Sequence, residues 1–346
     1  MSYRISVPGE GLSFDCEEGE TILDAVERAG YAIPYSCRKG VCSSCEGALL
    51  SGEAMVRGQG LKAGPAESVL LCQARPRTDL QFAPTRIRLA DVIERRVLDA
   101  KVRRIDRPAP DVAVIELRLP IGMRAQFRAG QYLRVMMPDG DSRNYSMANG
   151  PHRNDSVELH IRHVPGGRFS ENVLSGLAKG AVLTLELPYG EFNLSDQAGL
   201  AILIATGTGF APIKSIVEHQ IQQRGTRPLH LYWGANTAAD LYMRDLAEGW
   251  AAAHDWFAFT PVVSSPDSEW AGRVGFVHRA VMTDHPDMAS VEVYACGAPP
   301  MIEAARADFI EQARLPAHAF FSDAFVPSGD LALDGGPTPA AARQPA

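Results

Sequence analysis

Four cysteines constrain this chain more than any other residues. Cys37, Cys42 and Cys45 lie in C-R-K-G-V-C-S-S-C, a C-x4-C-x2-C run, and Cys72 follows after a long gap in V-L-L-C. Three thiolates on one short loop and a fourth from a distant segment can close a cage around two tetrahedral irons. Sulfur's soft lone pairs hold iron in either oxidation state. Gly40 lets the loop bend where a Cβ would obstruct it. Such a cage carries one electron at a time. Disulfides fit poorly, because the start M-S-Y-R-I-S-V-P-G-E is not a cationic, apolar leader and cysteines outside an oxidising compartment stay reduced. A structural zinc site competes better. Such sites usually show two short C-x2–4-C knuckles, however, and here Cys72 stands alone.

A chain of 346 residues has room for two or three domains. Its formal charge of −7 gives no support to nucleic-acid or anionic-membrane binding. No apolar run reaches the roughly 18 residues needed to span a bilayer. A cytoplasmic monomer is the default expectation. Residues 330–346, rich in Pro, Ala and Gly, have almost nothing to bury and are expected to form a disordered tail.

The remainder divides into three patterns, predicting a multi-domain chain that combines α+β and α/β units. In residues 1–90, Tyr3, Ile5 and Val7 alternate with polar neighbours, as do Leu12, Phe14 and Cys16, which predicts a hairpin turning at Pro8-Gly9. Cys16 falls on the apolar face and reads as core. Thr21 sits where a helix N-cap belongs, Ile22, Leu23 and Val26 form a stripe, and Gly30 ends it. In residues 95–195, Val112–Leu119, Tyr132–Met137, Val157–Arg162 and Val182–Leu187 are short strand-like runs between turn residues, suggesting an antiparallel barrel. In residues 198–328, the apolar runs Leu200–Ala205, Leu229–Trp233, Phe257–Val263 and Val291–Ala295 alternate with helical stretches, predicting a doubly wound parallel sheet. Ligands of such sheets sit at the carboxyl ends of the strands.

Three further motifs carry chemistry. Arg143-Asn144-Tyr145-Ser146 places Arg143 and Tyr145 on one strand face, a guanidinium for a phosphate and a phenol ring for a flat heteroaromatic. Alone, this motif is equally compatible with a solvated arginine and a core tyrosine. The stretch from His160 to Ser170 contains Arg162, the pair Gly166-Gly167, Arg168, and Ser170 as a cap for a helix with Val173, Leu174 and Leu177. A helix N-terminus there would attract an anion. His160 and His163 lie on opposite strand faces and read as packing or surface residues, not as a metal pair. Gly207-Thr208-Gly209-Phe210-Ala211-Pro212 follows an apolar strand and opens a helix, with Pro212 in its first turn. The third glycine of the dinucleotide fingerprint is absent.

Taken together, the first segment resembles the plant-type [2Fe–2S] ferredoxins of β-grasp fold over its full length. Arg143-Asn144-Tyr145-Ser146 looks like the flavin motif of the ferredoxin–NADP reductase superfamily, and the G-T-G-F-A-P stretch looks like its nicotinamide-dinucleotide loop. Cys296-Gly297-Ala298-Pro299 resembles the C-G-x-P motif that lies beside the nicotinamide, although a buried cysteine at a strand end would look the same. The whole arrangement resembles the reductase components of ring-hydroxylating dioxygenases, and R-N-Y-S-M-A-N with L-H-I-R-H-V-P-G-G-R-F-S looks nearest to the terephthalate branch. The resemblance implies Cys37, Cys42, Cys45 and Cys72 as iron ligands of a [2Fe–2S] cluster. It implies Arg143, Tyr145, Ser146, His160, Arg162, Gly167, Arg168, Ser170 and Phe325 at FAD, with FMN less favoured. It also implies Gly207, Thr208, Gly209, Pro212, Cys296, Gly297 and Pro299 at NADH or NADPH, with Tyr145, Ser146 and Cys296 nearest the chemistry.

The implied activity passes electrons from NAD(P)H through the flavin to the cluster, and on to a terminal oxygenase component as protein partner. A deoxysugar dehydratase or a diiron monooxygenase would accept electrons along the same path, and a redox-sensing carrier is the non-enzymatic alternative. Asn236 and Asp240 after the second apolar run favour NADH, unless Arg244 or Arg227 folds inward. Arg38 and Lys39 in the cysteine loop are candidates for docking an acidic partner, and the acid run from Asp15 to Glu27 for a basic one.

Overall fold

The pairing of Tyr3, Ile5 and Val7 with Cys16, Phe14 and Leu12 realises the alternation at the N-terminus as an antiparallel hairpin. The computed structural model describes residues 2–91, 93–137, 140–174 and 176–326, without the side chains of Arg168, Asn172 and Val173. The expected tail at 330–346 lies outside the described residues. After the hairpin, Thr21 Oγ1 accepts the Asp24 N–H at 3.2 Å and caps the helix Ile22–Arg28. The buried face of that helix, Ile22, Leu23 and Val26, shares a core with the sheet. In spatial order the sheet runs Leu12–Glu17, Ser2–Val7, Leu80–Pro84, Glu46–Ser51, Ala66–Leu70. Cys16 is buried in the same core. The cysteine loop leaves this β-grasp unit between the helix and Glu46–Ser51, and Gly40 takes a φ of 78°, open to glycine at no steric cost.

Six antiparallel strands follow, in the order Ser142–Ser146, Tyr132–Met136, Val182–Tyr189, Arg96–Ala109, Val112–Arg118, Ser156–Arg162. A bridge between Met147 and Leu159 joins the first strand's end to the last and closes the barrel. Arg96–Ala109 is the strand that sequence reasoning missed. Its charged outer residues mask an inner face of Leu98, Ala100 and Val102, and register shifts after Val102 and Asp106 break the alternation.

The C-terminal unit is a six-stranded parallel sheet in the order Arg273–Val274, Phe257–Val263, Leu229–Ala235, Ala201–Thr206, Glu292–Gly297, Phe320–Ala324. The chain starts at Ala201–Thr206, winds outward on one side and returns to the other. The resulting switch point lies between Ala201–Thr206 and Glu292–Gly297, where ligands of such sheets bind. Arg273–Val274 and Phe320–Ala324 were also absent from the sequence reading. The first is too short to show a period, and the second reads as an aromatic cluster. Phe321 is core, stacked on Tyr294 with ring centroids 4.6 Å apart.

Buried polar contacts join the three units. Lys214 Nζ, from the nucleotide-side helix Phe210–Gln222, meets Glu158 of the barrel at 3.0 Å, and Ser215 Oγ donates to the Asn149 carbonyl at 2.8 Å. The Glu191 N–H donates to the Tyr35 carbonyl at 3.0 Å, tying barrel to β-grasp unit. Arg306 of the nucleotide unit pairs with Glu46 at 2.8 Å. Among the described residues no helix is long and apolar enough to cross a membrane.

Candidate active site

The ends of these elements converge on one cavity of about 1270 Å³. That exceeds the roughly 300–1,000 Å³ of an ordinary small-molecule site. Ser36, Cys37 and Lys39 line it from the β-grasp unit, and Tyr132, Arg143, Tyr145 and Ser146 from the barrel. Gly207, Thr208, Gly297 and Asp323 line it from the nucleotide unit. No single domain could make this wall.

The four cysteines are all buried and form two pairs. Cys37 exchanges a hydrogen bond with Cys42, and Cys45 with Cys72. The Cys42 thiol and the backbone N–H groups of Lys39, Val41 and Cys42 bring the Cys37 thiol down to about 5. The bond from Cys45, helped by the Gln73 side chain, lowers Cys72 as well. Hydrogen bonds to these partners, together with burial, raise Cys42 and Cys45. Among the described residues, no three His, Cys, Asp or Glu side chains converge as a site for one metal ion. Two pairs of thiols fit a two-iron cage, in which each iron takes two protein ligands, better than a single ion such as zinc.

Barrel residues form the next part of the wall. Tyr145 packs against Phe169 with centroids 5.3 Å apart, and Arg143 Nη1 is held by Asp141 at 2.6 Å. Arg162, also in the wall, pairs with Asp111 at 2.9 Å. Among the described residues, the buried Oη of Tyr132 has no hydrogen-bond partner. A buried unsatisfied hydroxyl is costly, so its place in the wall fits a ligand that supplies the missing bond. His160 also lines the cavity, but its ring nitrogens are engaged: Tyr242 Oη lies 2.8 Å from Nδ1 and Glu158 Oε1 3.0 Å from Nε2. Burial lowers its pKa, which favours the neutral ring. With both nitrogens taken, its polar atoms serve the barrel–nucleotide interface.

The stretch after it departs from expectation. Arg168–Val173 is a single π-helical turn with no side-chain cap. Ser170 lies inside it, and its Oγ donates back to the Val164 carbonyl at 3.1 Å. Among the described residues the predicted Ser170 cap is therefore absent, and a π-helical turn takes the place of the expected helix start. Gly167 and Ser170 still line the cavity, and the Arg168 side chain lies outside the described atoms.

On the nucleotide side, Gly207–Gly209 forms one 3-10 turn leading into the helix Phe210–Gln222. The Trp233 indole N–H donates to the Gly207 carbonyl at 3.2 Å and fixes that turn. Gly207, Thr208 and Ala211 face the cavity, whereas Gly209 and Pro212 stand behind it. A Cβ on Gly209 would lie 2.2 Å from the Cys296 carbonyl oxygen. That close approach explains the glycine. Cys296 itself is 0% exposed and sits behind Gly297 and Ala298, so its thiol packs in the core instead of facing the cavity. Pro299 opens the helix Pro299–Gln312, and its neighbours Ala298 and Pro300 provide the wall. Phe325, held by its N–H to the Gly297 carbonyl at 2.8 Å, lines the cavity as its position implied.

Sequence reasoning missed Ser36, Lys39, Tyr132 and Asp323. Lys39, read as a docking cation, faces the cavity near Arg143, and burial with that neighbour lowers its pKa. Arg38 is also withdrawn from docking. It pairs with Asp24 and with Glu27, the latter at 2.6 Å, and lies over the Tyr35 ring. Asp323 accepts hydrogen bonds from Ser36 and Ser146. Burial pushes its carboxyl up to about 6, and the two hydroxyls hold it from rising further. The only sequence signal for it was its place two residues before Phe325.

Comparison with known proteins agrees with this division. The chain matches the 2Fe-2S iron-sulfur cluster binding domain over residues 5–77. It matches the oxidoreductase FAD-binding domain over 99–194 and the oxidoreductase NAD-binding domain over 203–307. It is 38% identical to reductase component 1 of terephthalate 1,2-dioxygenase from Comamonas sp, over 95% of this chain and 98% of that one. It is 37% identical to the CDP-6-deoxy-L-threo-D-glycero-4-hexulose-3-dehydrase reductase of Yersinia pseudotuberculosis, over 95% and 100%. Among solved structures it resembles a cytochrome P450 reductase of Amycolatopsis, with a TM-score of 0.74 and 33% identity over 94% and 99% of the two chains.

Proposed function

The chain belongs to the family of NAD(P)H-dependent reductases that join a [2Fe–2S] ferredoxin domain to FAD- and NAD-binding domains, and from that membership we propose that it serves the terminal oxygenase of an aromatic-ring-hydroxylating system with NADH as donor. When bound, a nicotinamide, a flavin and the cluster would together supply hydride donation and its conversion to single-electron transfer. The observation that carries the reading is the shared cavity, whose wall contains Cys37, Tyr145, Ser146 and Thr208 together.

Cys37, Cys42, Cys45 and Cys72 would hold the [2Fe–2S] cluster, which would supply one-electron transfer. Arg143 and Arg162 supply positive charge for flavin phosphates, with Lys39 adding to the field. Tyr145 and Phe325 give aromatic surface to the ring system, and Tyr132 donates its unused hydroxyl. Gly207, Thr208 and Gly297 admit the nicotinamide at the sheet's switch point. Cys296 and Gly209 keep strand and turn in contact behind it.

The side chains around the second nucleotide loop support NADH. Asp240 accepts from the Thr237 N–H at 2.9 Å and stays beside Asn236 in the wall, where it would repel a 2′-phosphate. Arg227 is spent on Glu292 at 2.7 Å, and Arg244 on Glu248 at 2.6 Å and the Trp270 ring. Neither turns inward. All six cysteines are free of disulfides, which supports a reducing, cytoplasmic setting.

The test is anaerobic purification followed by titration with NADH and NADPH, then addition of a purified aromatic-ring dioxygenase or a deoxysugar dehydrase. Bleaching of the flavin and then of the cluster by NADH, with reoxidation by the oxygenase, is expected. Reoxidation by the dehydrase alone would reassign the acceptor.

A further inference from the structure

We propose that the last strand, Phe320–Ala324, sets the position of the iron-binding loop relative to the flavin motif, with Asp323 as the positioning residue that joins Ser36 to Ser146. This rests on the reading of the chain as a flavin–cluster reductase.

Two consecutive residues of that strand grip the loop at both ends. Asp323 Oδ1 accepts from Ser36 Oγ, one residue before Cys37. Ser322 Oγ donates to the Cys42 carbonyl at 2.9 Å, and the Ser322 carbonyl accepts from Ser44 Oγ at 2.7 Å. Successive side chains of a strand point to opposite faces, so one short strand can reach both ends of a loop that carries Cys37 and Cys42. The other carboxylate oxygen, Oδ2, accepts from Ser146 Oγ at 3.3 Å. Ser146 closes the flavin motif of the barrel. Three domains therefore meet at one carboxyl group.

Stability alone does not account for this group. Ser36, Ser146, Ser322 and Asp323 are all buried, and among the described residues the hydrogen-bond partners of Asp323 are hydroxyls, with no cation among them. A buried carboxylate held by two neutral donors costs more to desolvate than an apolar residue of similar size. What the two bonds do provide is a fixed separation between the loop and the barrel motif. Electron transfer weakens exponentially with the gap between its partners, so a loop that shifts away from the barrel motif transfers more slowly. A strand of the nucleotide domain thereby governs a transfer between the other two domains.

The experiment uses the full-length holoenzyme with Asp323→Ala, Asp323→Asn and Ser44→Ala. Rapid mixing with NADH separates flavin bleaching from cluster reduction, and hydrogen exchange over residues 36–46 reports the loop independently of turnover. Asp323→Ala should slow cluster reduction severalfold more than flavin bleaching. It should also raise exchange across the loop, while the cluster's electron paramagnetic resonance signal persists. Asp323→Asn keeps an acceptor for one serine and should recover most of the rate. Ser44→Ala removes the loop-to-strand bond to Ser322 and leaves Ser146 untouched, so it should raise exchange with a smaller loss of rate. Unchanged exchange in both Asp323→Ala and Ser44→Ala overturns the proposal. So does a parallel fall of flavin bleaching and cluster reduction, which would place Asp323 in the hydride step. If Asp323→Ala does not fold, Ser44→Ala and Asp323→Asn decide by the same two readouts. Failure of the broader reading would show in the unmodified protein, as absence of flavin bleaching by NADH or of a cluster signal.

Discussion

Lys214 of the nucleotide domain and Glu158 of the flavin barrel form an ion pair at 3.0 Å with both side chains nearly sealed from solvent. Glu218 and the Ala148 carbonyl complete the lysine's shell at 2.6 and 3.3 Å. His160 and Tyr242 continue the network across the same interface. This network holds the two sides of the cofactor cavity in one relative orientation.

Removing one charge strands the other. Lys214→Met should cost about 3–5 kcal/mol, because Glu158 loses the cation that compensates its burial. Urea denaturation followed by flavin release checks this, and Glu158→Gln combined with Lys214→Met should recover part of the loss.

Acid should loosen the same interface. Burial alone would raise the Glu158 carboxyl, but the bonds from His160 and Lys214 hold it well below its ordinary value of 4.5. A depressed carboxylate contributes stability above its unfolded pKa, and that contribution is lost as pH falls through the folded value. Burial lowers His160 below 6.5, so protonating it also opposes folding as pH falls. Thermal midpoints should be nearly flat from about pH 7 to 8 and fall below about pH 6.5. Glu158→Gln should flatten the lower part of that fall.

Gly209 tests the strand–turn contact. Its φ of −57° suits any residue, so the obstacle to a side chain is the Cys296 carbonyl and not backbone strain. Gly209→Ala should cost about 1–3 kcal/mol as an overpacked site and raise KM for NADH more than it lowers kcat. Equal stability and KM in the variant would show that the strand can move aside freely.

Tyr132 should behave oppositely with and without flavin. Its buried Oη has no partner, so Tyr132→Phe should leave the flavin-free protein as stable or more so. The same change should weaken flavin binding by roughly tenfold, the effect of about one hydrogen bond. Melting of flavin-free protein and a flavin titration give the two halves of the comparison.

Coenzyme choice depends on few residues. NADH should be favoured over NADPH at least about tenfold in kcat/KM, since Asp240 beside Asn236 in the cavity wall would repel a 2′-phosphate. Asn236→Arg should narrow the ratio by improving NADPH, with little change for NADH. Initial rates with both coenzymes decide it.

Where chemistry was local, the residues announced it. The cysteine spacing, the alternation in the hairpin, the Thr21 cap and the G-T-G turn each depend on neighbours within a few positions, and the structure forms each of them. The Ser170 cap failed because the loop found a closer partner in Val164 and closed as a π turn. The strand Arg96–Ala109 stayed hidden because its outward charges outnumber its inward apolar residues. Arg38 and Lys39 looked like free surface cations until Glu27, Asp24 and the cavity claimed them.

An iron–sulfur site, a flavin motif and a nucleotide loop are legible in the residues alone, because thiolate spacing and glycine-rich turns act over short stretches. That Ser36, Ser146 and Asp323, separated by most of the chain, meet at one point emerges from the fold. The physical reason is that hydrogen bonds and buried charge depend on distance in space. The strand Phe320–Ala324 was placed there by the winding of a sheet whose first strand begins over a hundred residues earlier.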